Sequence, residues 1–399
     1  AGSDALLDPT LAADRNAVAV LGTSTVGGTL AFNAAGDLAL DGSIGQSAPG
    51  GDTRIEAGGT LTLNAGAVLG FDNITLVAPG QMTLRGTVGV DQSVPVSMVR
   101  LGAGAGIAQE VTGRIVADSL GIRAIGDVLL TDGSNDVRRI AAATEGVFTL
   151  DTAGALATAS IDSVPLPGDA SAAVAGVLGS SVTLSASGLT INPAELGGGI
   201  GAGVHASAAD GVVTLRADTL TVNALVAAGS PLGGVSYNGT IVLAPRTVDR
   251  AVVLGGADAG ALSISNAMLQ AMLARNIVIG RSDDAAGALT VAGAVSPLNG
   301  VNSVLLQGGG IVLDDSVILS TAGGLLTLSA VTGDITQGAG AVAASRLFAE
   351  ALAGSVRLDG AVTLNQVAQL GGSVASGEDF AYRGAGSYVI AAPGILAPD

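Results

Sequence analysis

Pairs of large apolar residues, each separated by one small or polar residue, recur along almost the whole chain. Because side chains alternate between the two faces of a β-strand, each pair places both apolar side chains on one face of a short strand. Turn residues separate the pairs, as in Asn64-Ala65-Gly66 and Asp359-Gly360, where the backbone needs residues that tolerate positive φ. Representative pairs are Leu61/Leu63, Val128/Leu130, Val213/Leu215, Leu289/Val291 and Val356/Leu358.

Strands this short do not form stable isolated hairpins. Most neighbouring pairs also lack the two-residue Asn-Gly or Asp-Gly loop that would join them as a hairpin. Stacking each strand on its equivalent in the next coil satisfies the backbone and buries a continuous apolar ladder. The sequence therefore predicts an all-β fold, a right-handed parallel β-helix (β-solenoid). Residues 1–399 are expected to form a single continuous repeat domain, a segment of a longer shaft.

Composition supports a thin core and limits the chemistry. Aromatic residues make up 2% of the chain, and cysteine and tryptophan are absent, so aliphatic side chains must fill the core. The lack of cysteine excludes disulfides and thiolate sites. The formal net charge is −17, with arginine as the only basic residue apart from one histidine. Such a charge solvates the surface and repels nucleic acid, so no nucleic-acid partner is expected.

A longer repeat is superimposed on the short one. Ile107-Ala108-Gln109 recurs as Ile335-Thr336-Gln337, and at nearly the same spacing Asn135 recurs as Asn365. A third copy begins near Asn16. Asparagine readily adopts turn conformations. We therefore interpret these asparagines as stacked or inward-facing structural residues.

Three stretches depart from the strand pattern. Residues 265–275 contain helix formers behind a capping Ser265 or Asn266, which predicts one short helix packed on the core. The stretches Val164–Gly176 and Gly197–Asp210 are rich in proline, glycine or serine and are predicted to be surface loops.

The sequence contains little that could support catalysis. His205 is the only histidine, and no motif converges on it, so a triad, a histidine base or a usual zinc site is not predicted. Gly197, Gly199 and Ala202 match part of a dinucleotide fingerprint, but no helix follows them. We predict no catalytic, cofactor-binding or metal-binding residues, no cofactor and no enzymatic activity.

Other polar motifs are weak. The doublets Asp283-Asp284 and Asp314-Asp315 point to opposite faces of a strand, so neither supplies a pair of catalytic carboxylates. The calcium-binding Gly-Gly-x-Gly-x-Asp nonapeptide is absent. The sequons Asn73-Ile74-Thr75 and Asn238-Gly239-Thr240 are frequent by chance.

An alternative interpretation is a carbohydrate-active β-helix enzyme, a polysaccharide lyase or glycoside hydrolase. Such an enzyme would need aspartate and arginine side chains in one groove, beside an aromatic platform for the sugar. Tyr237, Tyr382 and Tyr388 are the only tyrosines available for that platform.

The repeats resemble those of the filamentous haemagglutinin-type exoproteins of bacterial two-partner secretion, over nearly the whole chain. The matching segments are Ala244–Gly256, Leu262–Gly280, Ile335–Leu347, Gly354–Leu358, Asn365-Gln366-Val367 and Phe380. The resemblance implies a β-helical shaft exported through an outer-membrane pore. The Asn-Pro-Asn-type motifs of the family's secretion domain are not matched, since only Asn192-Pro193-Ala194 is present, in mid-chain.

Membership of this family would imply a secreted or surface-displayed structural or adhesive rod, acting in cell-surface adhesion or extracellular fibre formation. Its location would be extracellular or on the bacterial cell surface. Its expected partners are neighbouring β-helical repeats or copies of itself end to end, the secretion pore, and glycans of host or environmental surfaces. Unpaired strand edges at the ends of a solenoid favour such end-to-end stacking.

Overall fold

The computed structural model describes residues 19–47, 50–89, 97–193, 202–230, 237–283, 285–296, 301–314, 318–360 and 364–396. The protein is 60% strand and 1% helix, and its parallel strands stack into a β-solenoid of about 15 turns. The all-β solenoid prediction is therefore confirmed. The right-handed sense stays a prediction, and it is the one that parallel crossover connections favour. The chain divides into two compact units, Ala1–His205 and Ala206–Asp399.

The first unit is built from strands alone in its described part. These strands are β1 Val20–Leu21, β2 Ser24–Val26, β3 Leu30–Asn33, β4 Leu38–Leu40, β5 Ser43–Gln46, β6 Asp52–Glu56, β7 Leu61–Leu63, β8 Val68–Gly70, β9 Asn73–Ala78, β10 Met82–Leu84, β11 Thr87–Val88, β12 Met98–Ala103, β13 Ile107–Gln109, β14 Arg114–Ala124, β15 Val128–Leu130, β16 Asp136–Thr144, β17 Phe148–Asp151, β18 Ala155–Thr158, β19 Ser160–Leu166, β20 Asp169–Ala175, β21 Val177–Gly179, β22 Val182–Ile191 and β23 Ala202–Ala206.

Each early turn of this unit contributes one strand to each of three parallel stacks, so that β3, for example, pairs with β6, β6 with β9 and β9 with β12. In-register pairing aligns equivalent apolar side chains into buried columns. One such column consists of Leu38, Leu61, Met82, Ile107, Val128, Phe148 and Val182. All of these residues are buried, so the apolar pairs seen in the sequence do fill the core.

An antiparallel hairpin, formed by β19 and β20, interrupts the parallel pattern. It covers residues 160–175, where the sequence analysis predicted a loop over Val164–Gly176, and this prediction is wrong. The chain reverses at Pro167-Gly168, with Gly168 at a φ of 79°. Ile161, Val164 and Val174 become buried against the solenoid, which stabilises strands in a stretch that composition alone assigns to a loop.

The second unit contains strands and the one helix. These elements are β24 Val212–Val222, β25 Leu225–Ala228, β26 Thr240–Ala244, β27 Val252–Leu254, β28 Leu262–Ile264, α1 Asn266–Gln270, β29 Met272–Leu273, β30 Asn276–Gly280, β31 Leu289–Val291, β32 Ser303–Gly308, β33 Ile311–Leu313, β34 Ile318–Ala330, β35 Ile335–Gln337, β36 Ala341–Ala351, β37 Val356–Leu358, β38 Gln366–Ser373, β39 Phe380–Tyr382 and β40 Val389–Leu396.

Two long parallel stacks organise this unit, and each carries a buried apolar column. One column consists of Ile241, Ile277, Val304, Leu326, Leu347 and Leu370. The other consists of Leu262, Val252, Leu289, Ile311, Ile335 and Val356. Because Leu, Ile and Val side chains stack on one another from each turn to the next, the core of this unit repeats the same small apolar contact.

The short helix lies within the predicted residues 265–275, but it spans only Asn266–Gln270. Ser265 caps it, with its hydroxyl accepting a hydrogen bond from the Met268 N–H at 3.2 Å. The helix ends at Gln270 because Met272 and Leu273 instead form β29, which pairs with β25. No helix in the described part of the chain is long and apolar enough to cross a membrane.

The second predicted loop, Gly197–Asp210, is partly wrong. Residues 194–201 lie outside the described residues, but Ala202–Ala206 form the strand β23, which includes His205. A single continuous domain over residues 1–399 stays a prediction.

Candidate functional site

A polar groove lies on the outer face of the first unit. It has a volume of ≈ 300 Å³ and is open to solvent. The lining residues are Thr29, Asp52, Thr53, Arg54, Asn73, Thr75 and Arg100. Most of them belong to β6, β9 and β12, which stack side by side in one sheet.

Strand alternation explains why Asp52, Arg54, Asn73, Thr75 and Arg100 face outward, whereas Thr53 between them is buried. The neighbours of the outward residues, such as Ile55, Ile74 and Leu101, point into the core and are fully buried. The register then aligns the polar residues across turns. Arg54 pairs with Thr75, which pairs with Arg100, and Asp52 pairs with Asn73. The groove therefore consists of two parallel rows of polar side chains.

Hydrogen bonds fix several of these side chains. The Asn73 Nδ2 donates to Asp52 Oδ1 at 2.7 Å. The Arg54 Nε donates to Glu56 Oε1 at 2.5 Å, in a partly exposed ion pair. These contacts hold the carboxylate and the amide side by side.

Arg100 connects the groove to the hairpin. Its Nε donates to the backbone carbonyl oxygen of Asp162 in β19 at 2.9 Å. Burial lowers the pKa of the Arg100 guanidinium, and the charges of Asp52 and Asp162 partly oppose that shift. The hairpin therefore helps to set the position and the electrostatic environment of this cation.

The hairpin is held on the sheet by a second arginine and by close packing over glycines. The Arg123 Nη1 donates to the carbonyl oxygen of Ala170 at 2.8 Å, and Nη2 pairs with Asp169 Oδ2 at 2.5 Å. A Cβ at Gly121 would lie 2.8 Å from Val164 Cγ2, and one at Gly102 would lie 2.6 Å from the carbonyl oxygen of Pro165. Glycine at these outward positions lets the hairpin approach the backbone.

The repeated asparagines are structural, as the sequence predicted. Asn135 and Asn365 are both fully buried. The Asn135 Oδ1 accepts from Ile115 N at 2.8 Å and from the Gln109 Nε2 at 2.7 Å. The Asn365 Oδ1 makes the equivalent contacts with Val342 N and the Gln337 Nε2, at the same two distances. Asn16 of the third copy lies outside the described residues.

The other residues singled out in the sequence do not converge on the groove. His205 is partly buried in β23 and interacts with other parts of the protein. Asp283 pairs with Arg281, which lowers the pKa of Asp283 chiefly through a side-chain hydrogen bond. Asp284 and Asp315, like Gly197 and Gly199, lie outside the described residues. Within the part of the chain that the structure describes, no group of three or more potential ligands could hold a metal ion.

The three tyrosines belong to the second unit. Tyr237 is buried, with 4% of its surface exposed. Tyr382 and Tyr388 form an edge-to-face pair with ring centroids 5.1 Å apart. Burial, followed by the neighbouring Tyr388, raises the pKa of Tyr382 to about 12. None of the three lines the groove.

The groove was not predicted from the sequence. In the sequence, Asn73 and Thr75 stand out only as part of a sequon, whereas in the structure they lie outward on β9, among the lining residues. The available signal was the run of polar residues at alternate positions of Asp52–Glu56 and Asn73–Thr75. This signal locates the groove only when the strand register between turns is known, because the register determines which polar residues become neighbours.

Comparison of the chain with known protein families, with curated proteins and with solved structures found no match.

Proposed function

We propose that the protein is a non-catalytic structural and adhesive β-helical rod, secreted or displayed on a bacterial surface, of the filamentous haemagglutinin type. The observation that carries this proposal is the regular stacking of parallel strands with continuous apolar columns in each unit. Repetition of one contact builds length and surface without a deep core, which suits a shaft. Export through an outer-membrane pore is part of the same proposal.

The test is localisation in the bacterium that makes the protein. Immunogold labelling of intact cells, with electron microscopy, is expected to show label on elongated surface structures or released fibres. Digestion of the protein by a protease added to intact cells should agree. Labelling that requires lysis of the cells would contradict the proposal.

A carbohydrate-active enzyme remains the second candidate, because the groove does bring Asp52 together with Arg54 and Arg100. A glycosidase of the usual kind needs two carboxyl groups flanking the bond that is cleaved. Asp52 is the one carboxylate among the lining residues of this groove, and it lies beside an amide. This arrangement favours binding over cleavage.

Release of reducing ends from neutral or acidic polysaccharides separates the two candidates. We expect no release above background for the natural chain. Release that disappears in an Asp52→Asn variant, but persists in an Asp118→Asn variant outside the groove, would establish the enzyme.

A further inference from the structure

We propose that the groove over β6, β9 and β12 binds a neutral saccharide. Its role as the adhesive contact of the rod rests on the function proposed above, whereas the binding itself does not.

The lining offers hydrogen bonds rather than apolar surface. The Asp52 carboxylate accepts, the Thr75 hydroxyl donates and accepts, and the Asn73 amide does both. The Arg100 Nε is engaged by Asp162, but its two terminal nitrogens make no hydrogen bond to the described residues. A saccharide hydroxyl also donates and accepts, so adjacent hydroxyls match this set. An apolar ligand would leave the polar groups unpaired, which is costly.

The local charge favours a neutral ligand. Two guanidinium groups, of Arg54 and Arg100, are accompanied by the three carboxylates of Asp52, Glu56 and Asp162. The whole chain adds a net charge of −17. An anionic sugar would therefore approach against an unfavourable potential. Uncharged hydroxyls avoid that cost and can still form charge-assisted hydrogen bonds with Asp52 and Arg100.

The alignment of the strands gives the groove a direction. Arg54, Thr75 and Arg100 occupy successive turns in register. Neighbouring strands lie about 4.8 Å apart, so this row extends for about 10 Å along the stack. The volume of ≈ 300 Å³ lies at the lower end of the range for small-molecule sites. A short stretch of a linear glycan fits this shape better than a compact metabolite.

The proposal is tested on an array of neutral and acidic oligosaccharides, followed by NMR titration of the full chain with the neutral tetrasaccharide that gives the strongest signal. Thr75→Val removes one hydroxyl and keeps the shape of the side chain, and it is expected to weaken binding about threefold to tenfold. Arg100→Met removes a charged donor and is expected to weaken binding at least about tenfold.

Matched controls lie outside the groove. Thr83→Val changes an outward threonine of β10, and Arg139→Met changes an outward arginine of β16. Both variants should bind like the natural chain. Binding only to acidic glycans, binding to none, or equal affinities for all four variants would overturn the proposal. Surface display without saccharide binding would refute the site alone, and saccharide binding without surface display would refute the adhesive role alone.

Discussion

At the scale of single residues, aspartates connect successive turns. The Asp37 Oδ1 accepts a hydrogen bond from Thr60 N at 2.7 Å, and Asp127 and Asp334 make equivalent contacts one turn ahead. A glycine lies against each carboxylate: a Cβ at Gly59 would be 2.2 Å from Asp37 Oδ1. The sequence shows these Gly-Asp pairs as turn signals, but it does not show that the side chain reaches into the next turn.

The Asp37 contact predicts a pH dependence. The backbone hydrogen bond from Thr60 lowers the pKa of Asp37 below its ordinary value. Since the folded-state pKa is depressed, this contribution to stability is present above the unfolded pKa of about 3.9 and is lost as the pH falls through the folded value. Asp37→Asn keeps an acceptor but removes the titration. The variant's melting temperature should therefore fall less than that of the natural chain between pH 5 and pH 2.

Glu145→Gln is the control for this experiment, because Glu145 is exposed and makes no hydrogen bond to the described residues. Its melting curve should follow the natural chain across the same pH range. An Asp37→Asn variant with the full acid sensitivity of the natural chain would show that the contact does not contribute.

The buried asparagines give a second prediction at this scale. Asn365 accepts from Val342 N and donates to the carbonyl oxygens of Leu358 and Arg383. Asn365→Ala leaves these buried groups without partners, so we expect a loss of about 1–3 kcal/mol in the free energy of unfolding, or more. The adjacent Gln366 is exposed, and Gln366→Ala should change stability by less than about 0.5 kcal/mol. Urea unfolding of both variants measures the difference, and similar losses would contradict the structural role.

At the scale of elements, strand alternation predicted the solenoid because the apolar pairs are local and face one core. Val356 and Leu358, for example, are buried as the alternation requires. The hairpin β19–β20 was missed because its stability depends on a distant surface. The hairpin packs closely against the backbone at Gly102 and Gly121, and the sequence does not show that these distant residues are in contact with it. The groove was missed for the same reason, since Asp52, Asn73 and Arg100 become neighbours only through turns of different length.

Docking of the hairpin can be tested at Gly121. Its added Cβ in Gly121→Ala would lie 2.8 Å and 2.9 Å from methyl groups of Val164 and Ile161, which must move. Overpacking of this kind typically costs about 1–3 kcal/mol. We expect faster hydrogen exchange in residues 160–175, measured by mass spectrometry, with little change in β7 and β10.

Gly36→Ala is the matched control, because nothing lies within 4 Å of a Cβ at that position. It should leave exchange in the hairpin unchanged. Equal protection of the hairpin in both variants would show that its packing does not require glycine at position 121.

At the scale of the whole molecule, net charge and strand edges have opposite effects on association between copies. A net charge of −17 opposes lateral contact between copies. β40 pairs with β38, and no other described strand pairs with it. A strand edge of this kind can accept a further strand, from a continuation of this chain or from another copy. These two features together support the proposal that copies associate end to end, which the sequence suggested but could not assign to particular residues.

Two adjacent residues of β40 test this proposal. Ile390 continues the buried column above Leu370 yet is 48% exposed, whereas Val389 pairs with the outward-facing Gln369 and is 64% exposed. Ile390→Lys places a charge where the next turn would stack, and Val389→Lys places the same charge on the flank. Sedimentation velocity over a range of protein concentrations should show association that Ile390→Lys abolishes and Val389→Lys preserves. Added salt should strengthen association of the natural chain, since it screens the repulsion between acidic copies while leaving strand pairing intact. A natural chain that stays monomeric at every concentration and salt level would refute end-to-end stacking, and an equal effect of the two lysines would place the contact elsewhere.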